Sequence, residues 1–76
     1  MREIDLCGLK CPMPVLRVKK VLKDAGSDET IAFVTDDPHA PEDIRVFARQ
    51  SGHTVVSQDD LGDGRVRNAL KRRLGG

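Results

Sequence analysis

The chain reads as an α+β domain: a two-layer α/β sandwich in the order β-α-β-α-β-β, with two helices on one face of a small mixed four-stranded sheet. Three observations predict this. Two segments carry apolar residues at helical spacing, each closed by a glycine. Short alternating or β-branched runs precede, separate and follow them. The length of 76 residues allows one domain with a thin core, so residues 1–76 are taken as a single unit.

Arg2 to Leu6 alternates polar and apolar residues, the pattern of a half-buried strand. Cys7-Gly8-Leu9-Lys10 follows as a turn, where Gly8 is free to take a positive φ. A helix is predicted from about Pro12, with Val15, Val18, Leu22 and Ala25 as its apolar stripe. Arg17, Lys19, Lys20 and Lys23 cover the other side, and Gly26 is the expected left-handed stop.

Thr30 to Thr35 is short, β-branched and apolar, as a buried central strand would be. Asp36-Asp37-Pro38 breaks it, because Asp favours turns and helix starts and Pro38 cannot continue the ladder. A second helix is predicted from Pro41 to Ser51, with Glu42 and Asp43 in its first turn. Ile44, Phe47, Ala48 and Ser51 share one face, and Gly52 ends it.

His53 to Gln58 reads as a third strand, and Asp59 to Gly64 as a hairpin loop. The last segment, Arg65 to Leu74, fits two periods. Val66, Leu70 and Leu74 are spaced for a helix, yet with Asn68 and Arg72 they also share one strand face. A strand there completes the two-layer architecture. Gly75-Gly76 reads as a frayed tail.

Composition narrows the functional classes. There is no apolar run of about 18 residues and no signal-peptide pattern, so a cytoplasmic protein with no membrane contact is expected. Two cysteines four positions apart make neither a disulfide framework nor a zinc ribbon, so no metal site is expected. His39 and His53 stand alone. With no Trp or Tyr, the chain lacks a base-stacking platform, and direct nucleic-acid binding is not expected. Net charge is +1 but unevenly placed. Residues 1–25 hold six basic and three acidic side chains, residues 26–63 two and nine, and residues 64–76 five and none. Solvated faces explain this, as does a dipolar surface whose basic segments meet to dock an acidic partner or RNA phosphate.

The chemistry centres on Cys11-Pro12-Met13-Pro14. This stretch joins the first strand to the first helix. A helix N-terminus directs free N–H groups and the positive end of the dipole at what lies there, which lowers a cysteine's pKa and favours the reactive thiolate. Pro12 and Pro14 suit a helix's first turn and stiffen it. A rigidly presented, activated sulfur is expected at Cys11.

From Leu6 to Pro14 the chain resembles the TusA/SirA-like family of small sulfur carriers, whose pattern is Leu-Asp-x-x-Gly-Leu-x-Cys-Pro-x-Pro. Ile4-Asp5-Leu6 replaces its opening. Thr35-Asp36-Asp37-Pro38 matches its Asp-Asp-Pro, and Asp43-Ile44 with Gly52-His53 matches its second helix and exit. The likeness spans residues 3–58. It implies the same β-α-β-α-β-β sandwich, and that Cys11 accepts sulfane sulfur as a persulfide and passes it on. A cysteine desulfurase or rhodanese would be the donor and a downstream relay protein the acceptor, serving tRNA thiolation, molybdenum-enzyme maturation or sulfur oxidation. Gly8, Pro12, Pro14, Asp36, Asp37 and Pro38 would support the motif. Such a carrier needs no cofactor, acts as a monomer, and is a covalent way-station more than a turnover catalyst.

Lys10, Arg17 and Lys20 flank the motif as a solvated face or as contacts for an acidic partner. Relatives often place Arg where this chain has Cys7. Cys7 is read as an inert thiol at the strand end, or as a resolving thiol that forms a disulfide with Cys11. The second option makes the protein a redox or regulatory module built on the Cys7–Cys11 pair. A third reading treats Gly75-Gly76 as the tail of a ubiquitin-like carrier, but the initial hairpin of that fold is absent from the pattern.

Overall fold

The structure, a computed structural model, describes residues 2–26 and 28–73. Its elements run β1 (Arg2–Asp5), α1 (Met13–Asp24), β2 (Thr30–Thr35), α2 (Ala40–Ser51), β3 (Thr54–Gly62) and β4 (Arg65–Lys71). The sheet order is β1-β2-β4-β3. β1 is parallel to β2, while β4 is antiparallel to both β2 and β3. The expected two-layer mixed sheet is therefore present, and the two-helix tally matches. Both helices run antiparallel to β1, β2 and β3, so both N-termini lie at the end of the sheet where β1 and β2 stop.

The core forms where the helix stripes meet one face of the sheet. Val18 and Leu22 of α1, Ile44 and Ala48 of α2, Ile31 and Phe33 of β2, Leu70 of β4 and Leu6 make one cluster. Removing this apolar area from water drives the layers together. The uncovered face is short of large apolar side chains. Ala32, Val34 and Ala69 are nonetheless buried there. An ion pair from Arg67 Nε to Glu3 Oε2, 2.8 Å, reaches from β4 to β1 across β2.

The ambiguous last segment is a strand, and its place in the sheet explains why. β4 lies between β2 and β3 and pairs with both along its length. Asn68 sits fully buried in its centre, opposite Phe33. A helix there would leave both neighbouring strands with unpaired backbone groups. Residues 74–76, including the Gly-Gly tail, lie outside the described residues.

Two boundaries differ from expectation. β3 runs on to Gly62, because Asp59 and Asp60 pair with Arg67 and Val66, and the expected loop shrinks to Asp63-Gly64. Those two residues have φ of 55° and 78°, the double positive φ that a two-residue type I′ turn requires. Gly26 is not a left-handed stop. α1 closes on Ala25 in extended geometry, and Arg72 Nε donates to the Leu22 carbonyl at 2.6 Å. A side chain from the far end of the chain thus caps α1 where a glycine was expected. Gly52 does take the left-handed conformation after α2, with φ 80°.

Candidate functional site

The loop from Leu6 to Pro12 hangs between the end of β1 and the start of α1. Leu6 N–H donates to the Val34 carbonyl at 2.7 Å, extending the β1–β2 pairing by one residue. Leu9 N–H then returns to the Leu6 carbonyl at 3.2 Å. Gly8 takes φ 91°, which a side chain would strain, and its N–H donates to Asp36 Oδ1 at 3.0 Å. Cys11 N–H donates to Asp37 Oδ2, and His39 N–H donates to the other oxygen, Oδ1, at 3.0 Å. The two aspartates after β2 therefore fasten the cysteine loop to the start of α2. Those two backbone donors hold the Asp37 carboxyl below the ordinary carboxylate range, His39 first and Cys11 second.

Cys11 is exposed and unpaired, and the Cys11–Pro12 peptide is cis. Pro14 is fully buried beneath it, anchoring α1 on the core, while Pro38 is exposed. Cys11 Sγ donates to Asp43 Oδ2 at 3.3 Å. This contact reverses the expected activation. The Cys11 thiol is pushed above its ordinary pKa, first by the hydrogen bond to Asp43, then by desolvation, and further by the Asp43 and Asp37 charges. The helix start gives little to oppose them. Pro12 and Pro14 have no N–H, Met13 N–H is taken by the Lys10 carbonyl at 2.8 Å, and Leu16 N–H by the Pro12 carbonyl at 3.3 Å. A full carboxylate charge on the sulfur outweighs the partial charge of a helix end so depleted of donors.

Cys7 is half-buried. Its N–H donates to Asp5 Oδ1 at 2.9 Å. Its thiol is also raised, mainly by the Asp5 side chain and then by burial, with Arg65 acting in the opposite sense. The two thiols thus lean on different carboxylates, Cys7 on Asp5 and Cys11 on Asp43.

Gly8, Lys10, Cys11, Pro12, Asp36 and Asp37 converge here; Lys10 is near enough to act on the Asp37 carboxylate. Arg17 and Lys20 do not converge with them. They are exposed along α1, and Lys20 lies about 12 Å up the helix axis from Pro12 at 1.5 Å per residue. Sequence reasoning placed Asp43 in the first turn of α2 and matched it to the family, but gave it no role at the sulfur. Its one signal was that first-turn position, and only the parallel packing of α1 and α2 brings it to Cys11.

Beside the sulfur, the α1–α2 seam opens into a groove of about 310 Å³ lined by Val15, Leu16, Asp43, Val46 and Phe47. Leu16 is 48% exposed and Met13 40%, large apolar side chains left in water at the edge of the site. Among the described residues, no three His, Cys, Asp or Glu side chains converge to hold a metal ion. Among the described residues, no helix is long and apolar enough to cross a membrane.

Comparison with known proteins speaks to the family and the fold. The family model described as sulfurtransferase TusA matches residues 2–72. The sulfur carrier protein TusA of Allochromatium vinosum is 34% identical over 61 residues, 80% of each chain. A protein of Archaeoglobus fulgidus that bears a sulfur-carrier name is 37% identical over 71 residues, 93% of this chain and 92% of that one. A SirA-like protein of Desulfitobacterium hafniense, solved by crystallography, superposes with a TM-score of 0.85 over 96% of this chain and 99% of its own. At 23% identity that likeness speaks to the fold.

Proposed function

Because the chain belongs to the TusA sulfurtransferase family, we propose that it accepts sulfane sulfur on Cys11 Sγ as a persulfide and relays it to an acceptor protein. The observation that supports this most is the presentation of Cys11: exposed at its sulfur, and pinned at its backbone by Asp37. Thiol exchange requires such access.

The step balances without an oxidant. The Cys11 thiol gives up its proton, and its sulfur attacks the outer sulfur of a donor persulfide. The donor's S–S bond breaks, its inner sulfur leaves as a thiolate, and that thiolate takes up a proton. One thiol and one persulfide become one persulfide and one thiol. A second attack, by the acceptor's thiolate on the outer sulfur of Cys11, regenerates the starting thiol.

Asp43 damps this chemistry in the unpartnered protein by favouring the neutral thiol. A donor bringing cationic groups to the site would offset that carboxylate and free the sulfur. Gly8, Asp36 and Asp37 shape the loop, Pro12 and Pro14 set the helix start, and Pro38 starts the turn into α2. Lys10, Arg17 and Lys20 would meet acidic groups at the edge of a partner. A cysteine desulfurase or rhodanese is the class of donor that this chemistry requires.

Intact-protein mass spectrometry after incubation with a sulfane-sulfur donor tests the assignment. One added sulfur atom is expected, removable by reductant and absent from Cys11→Ser. Sulfur that still loads on Cys11→Ser refutes it.

A further inference from the structure

The opposite end of α1 carries a second built feature. Where both helices stop, a groove of about 380 Å³ opens among Lys19, Lys23, Gln50, His53, Arg72 and Arg73. Its volume is in the range of clefts that hold small ligands, about 300–1,000 Å³. We infer that this groove binds phosphoryl oxyanions, carried by a free oligophosphate or by the backbone of a nucleic-acid strand.

Five basic side chains meet there from three parts of the chain. The ion pairs among the described residues are Arg2–Glu29, Arg67–Glu3 and Lys71–Asp28, and none uses these five. Lys19 and Lys23 stand four apart on α1, a like-charge spacing that weakens a helix. The helix dipole accounts for Lys23, which lies in the last turn of α1, but not for Lys19 one turn before it. Capping accounts for Arg72 alone, whose Nε holds the Leu22 carbonyl at 2.6 Å.

Arg72, His53 and the backbone at Arg73 are held in place before any ligand arrives. Arg72 N–H donates to the Glu29 carbonyl at 2.9 Å. Arg73 N–H donates to His53 Nδ1 at 3.0 Å, so the neutral ring carries its proton on Nε2 and keeps a donor free. Arg73 passes over Gly52: a Cβ built there would be in ordinary contact, 3.4 Å from Arg73 Cδ. Phe47 supports the His53 ring, with centroids 5.5 Å apart. Burial and then the Arg73 and Arg72 charges disfavour protonation of His53.

The donor set selects the ligand class. A planar carboxylate is satisfied by one guanidinium fork. A phosphoryl group presents several charged oxygens in different directions, which suits donors converging from α1, from the end of α2 and from the segment after β4. Phosphate contact needs no stacking platform, so the absence of Trp and Tyr is no obstacle. Its α1 side chains, Lys19 and Lys23, stand about 12 and 18 Å along the helix axis from Cys11, at 1.5 Å per residue. Cys11 does not line it, although Lys19, Phe47 and Gln50 also line the groove beside the sulfur.

The chain has two histidines, which makes the test clean. Pyrophosphate or a single-stranded oligonucleotide is titrated into the full chain while both His rings are followed by NMR. Saturable shifts of His53 are expected, with His39, at the N-terminus of α2, unmoved. Tighter binding of pyrophosphate assigns a free oligophosphate, and tighter binding of the strand assigns a nucleic-acid backbone. The triple variant K19Q/K23Q/R73Q should bind pyrophosphate at least about tenfold more weakly, the loss of one charge-assisted contact. For the strand, the log–log salt slope should fall by about 2, at about 0.7 per cation removed. Absence of a saturable His53 shift with either probe overturns the inference. So does a triple variant that binds as the parent does, or an acidic peptide of matched charge that binds as tightly.

Discussion

Two polar networks hold this small domain together, and they are built on opposite principles. In the sheet, Asn68 Nδ2 donates to the Phe33 carbonyl at 3.0 Å and to Thr35 Oγ1 at 3.2 Å, and Asn68 Oδ1 accepts from Gln58 Nε2 at 2.9 Å. Gln58 also donates to the Pro41 carbonyl at 2.8 Å. β2, β3, β4 and the start of α2 are thereby tied through neutral groups, and the one charge that joins them, Arg45 donating to Gln58 Oε1 at 2.7 Å, stays at the surface. At the cysteine loop the fasteners are carboxylates: Asp36 on Gly8, Asp37 on Cys11 and His39, Asp43 on the thiol. The first network satisfies buried groups and fixes the fold. The second spends charge near a sulfur that must react, so it controls position and reactivity together.

The sharpest way to separate them is at Asn68. Asn68→Leu keeps the branched shape, adds bulk, and leaves the Thr35 hydroxyl and one Phe33 carbonyl lone pair without their partner. A loss of about 2–3 kcal/mol is expected, by analogy with other buried polar groups that lose a partner. For a domain of this size that lowers Tm by about 10–20 °C in a thermal melt. Sulfur loading per folded molecule should not change. Loading that falls at full stability would show that the two networks are one.

At the loop, Asp37→Asn tests the other principle. Both Asp37 oxygens accept from backbone N–H groups. An amide offers one acceptor and one donor, so either Cys11 or His39 must lose its bond. Amide exchange at one of them should accelerate by an order of magnitude or more, as a protected N–H opens locally, loading should slow, and Tm should fall by less than in Asn68→Leu. Acid should mimic the substitution. The folded-state pKa of Asp37 is depressed, so its contribution is present above the ordinary carboxylate range and is lost as pH falls through the folded value. Protection of Cys11 and His39 that is indifferent to acid and to the substitution would remove Asp37 from the site.

The same division explains what was readable from sequence. The helix stripes through Val18 and Leu22, and through Ile44 and Ala48, follow one period each and were legible. So was the Thr30–Thr35 strand, which is buried on both faces. β4 was not, because positions 66, 70 and 74 satisfy both periods; its centre is decided by Gln58 and Phe33, which are remote in sequence. At the site, Cys11 and the Asp-Asp-Pro turn were visible as a motif. The sign of the thiol's shift was not, since the helix-end argument counts backbone donors and is blind to a carboxylate delivered by a second helix.

Asp43→Asn follows that reversal. The amide keeps the shape and removes the charge that raises the Cys11 thiol. Alkylation by iodoacetamide at pH 7 should quicken several-fold, because the thiolate is the reacting form, and the pH midpoint of the rate should move down. The sign follows from linkage: a raised thiol pKa stabilises the fold at low pH, and that contribution fades as pH rises through the folded value. The variant should therefore lose less stability than the parent on moving to alkaline pH. An unchanged or higher midpoint would mean that Asp43 does not govern the sulfur.

The smallest effect is expected at Cys7, and it bears directly on whether the site holds one working sulfur or two. In a redox pair, Cys7 must reach Cys11 as a thiolate. The structure gives it the opposite disposition: half-buried, its thiol raised by Asp5, while Cys11 leans on Asp43. Each carboxylate favours the neutral form of its own cysteine, so neither thiol is prepared to attack a persulfide or sulfenic acid on the other. Cys7→Ser keeps the small polar side chain and the backbone bond to Asp5. Sulfur loading and its release to an acceptor thiol should match the parent within error, and oxidation of the parent with diamide should leave few intramolecular disulfides in a mass-resolved digest. Loss of transfer in Cys7→Ser, with a Cys7–Cys11 disulfide trapped in the parent, would turn the loop from a single-sulfur carrier into a dithiol switch.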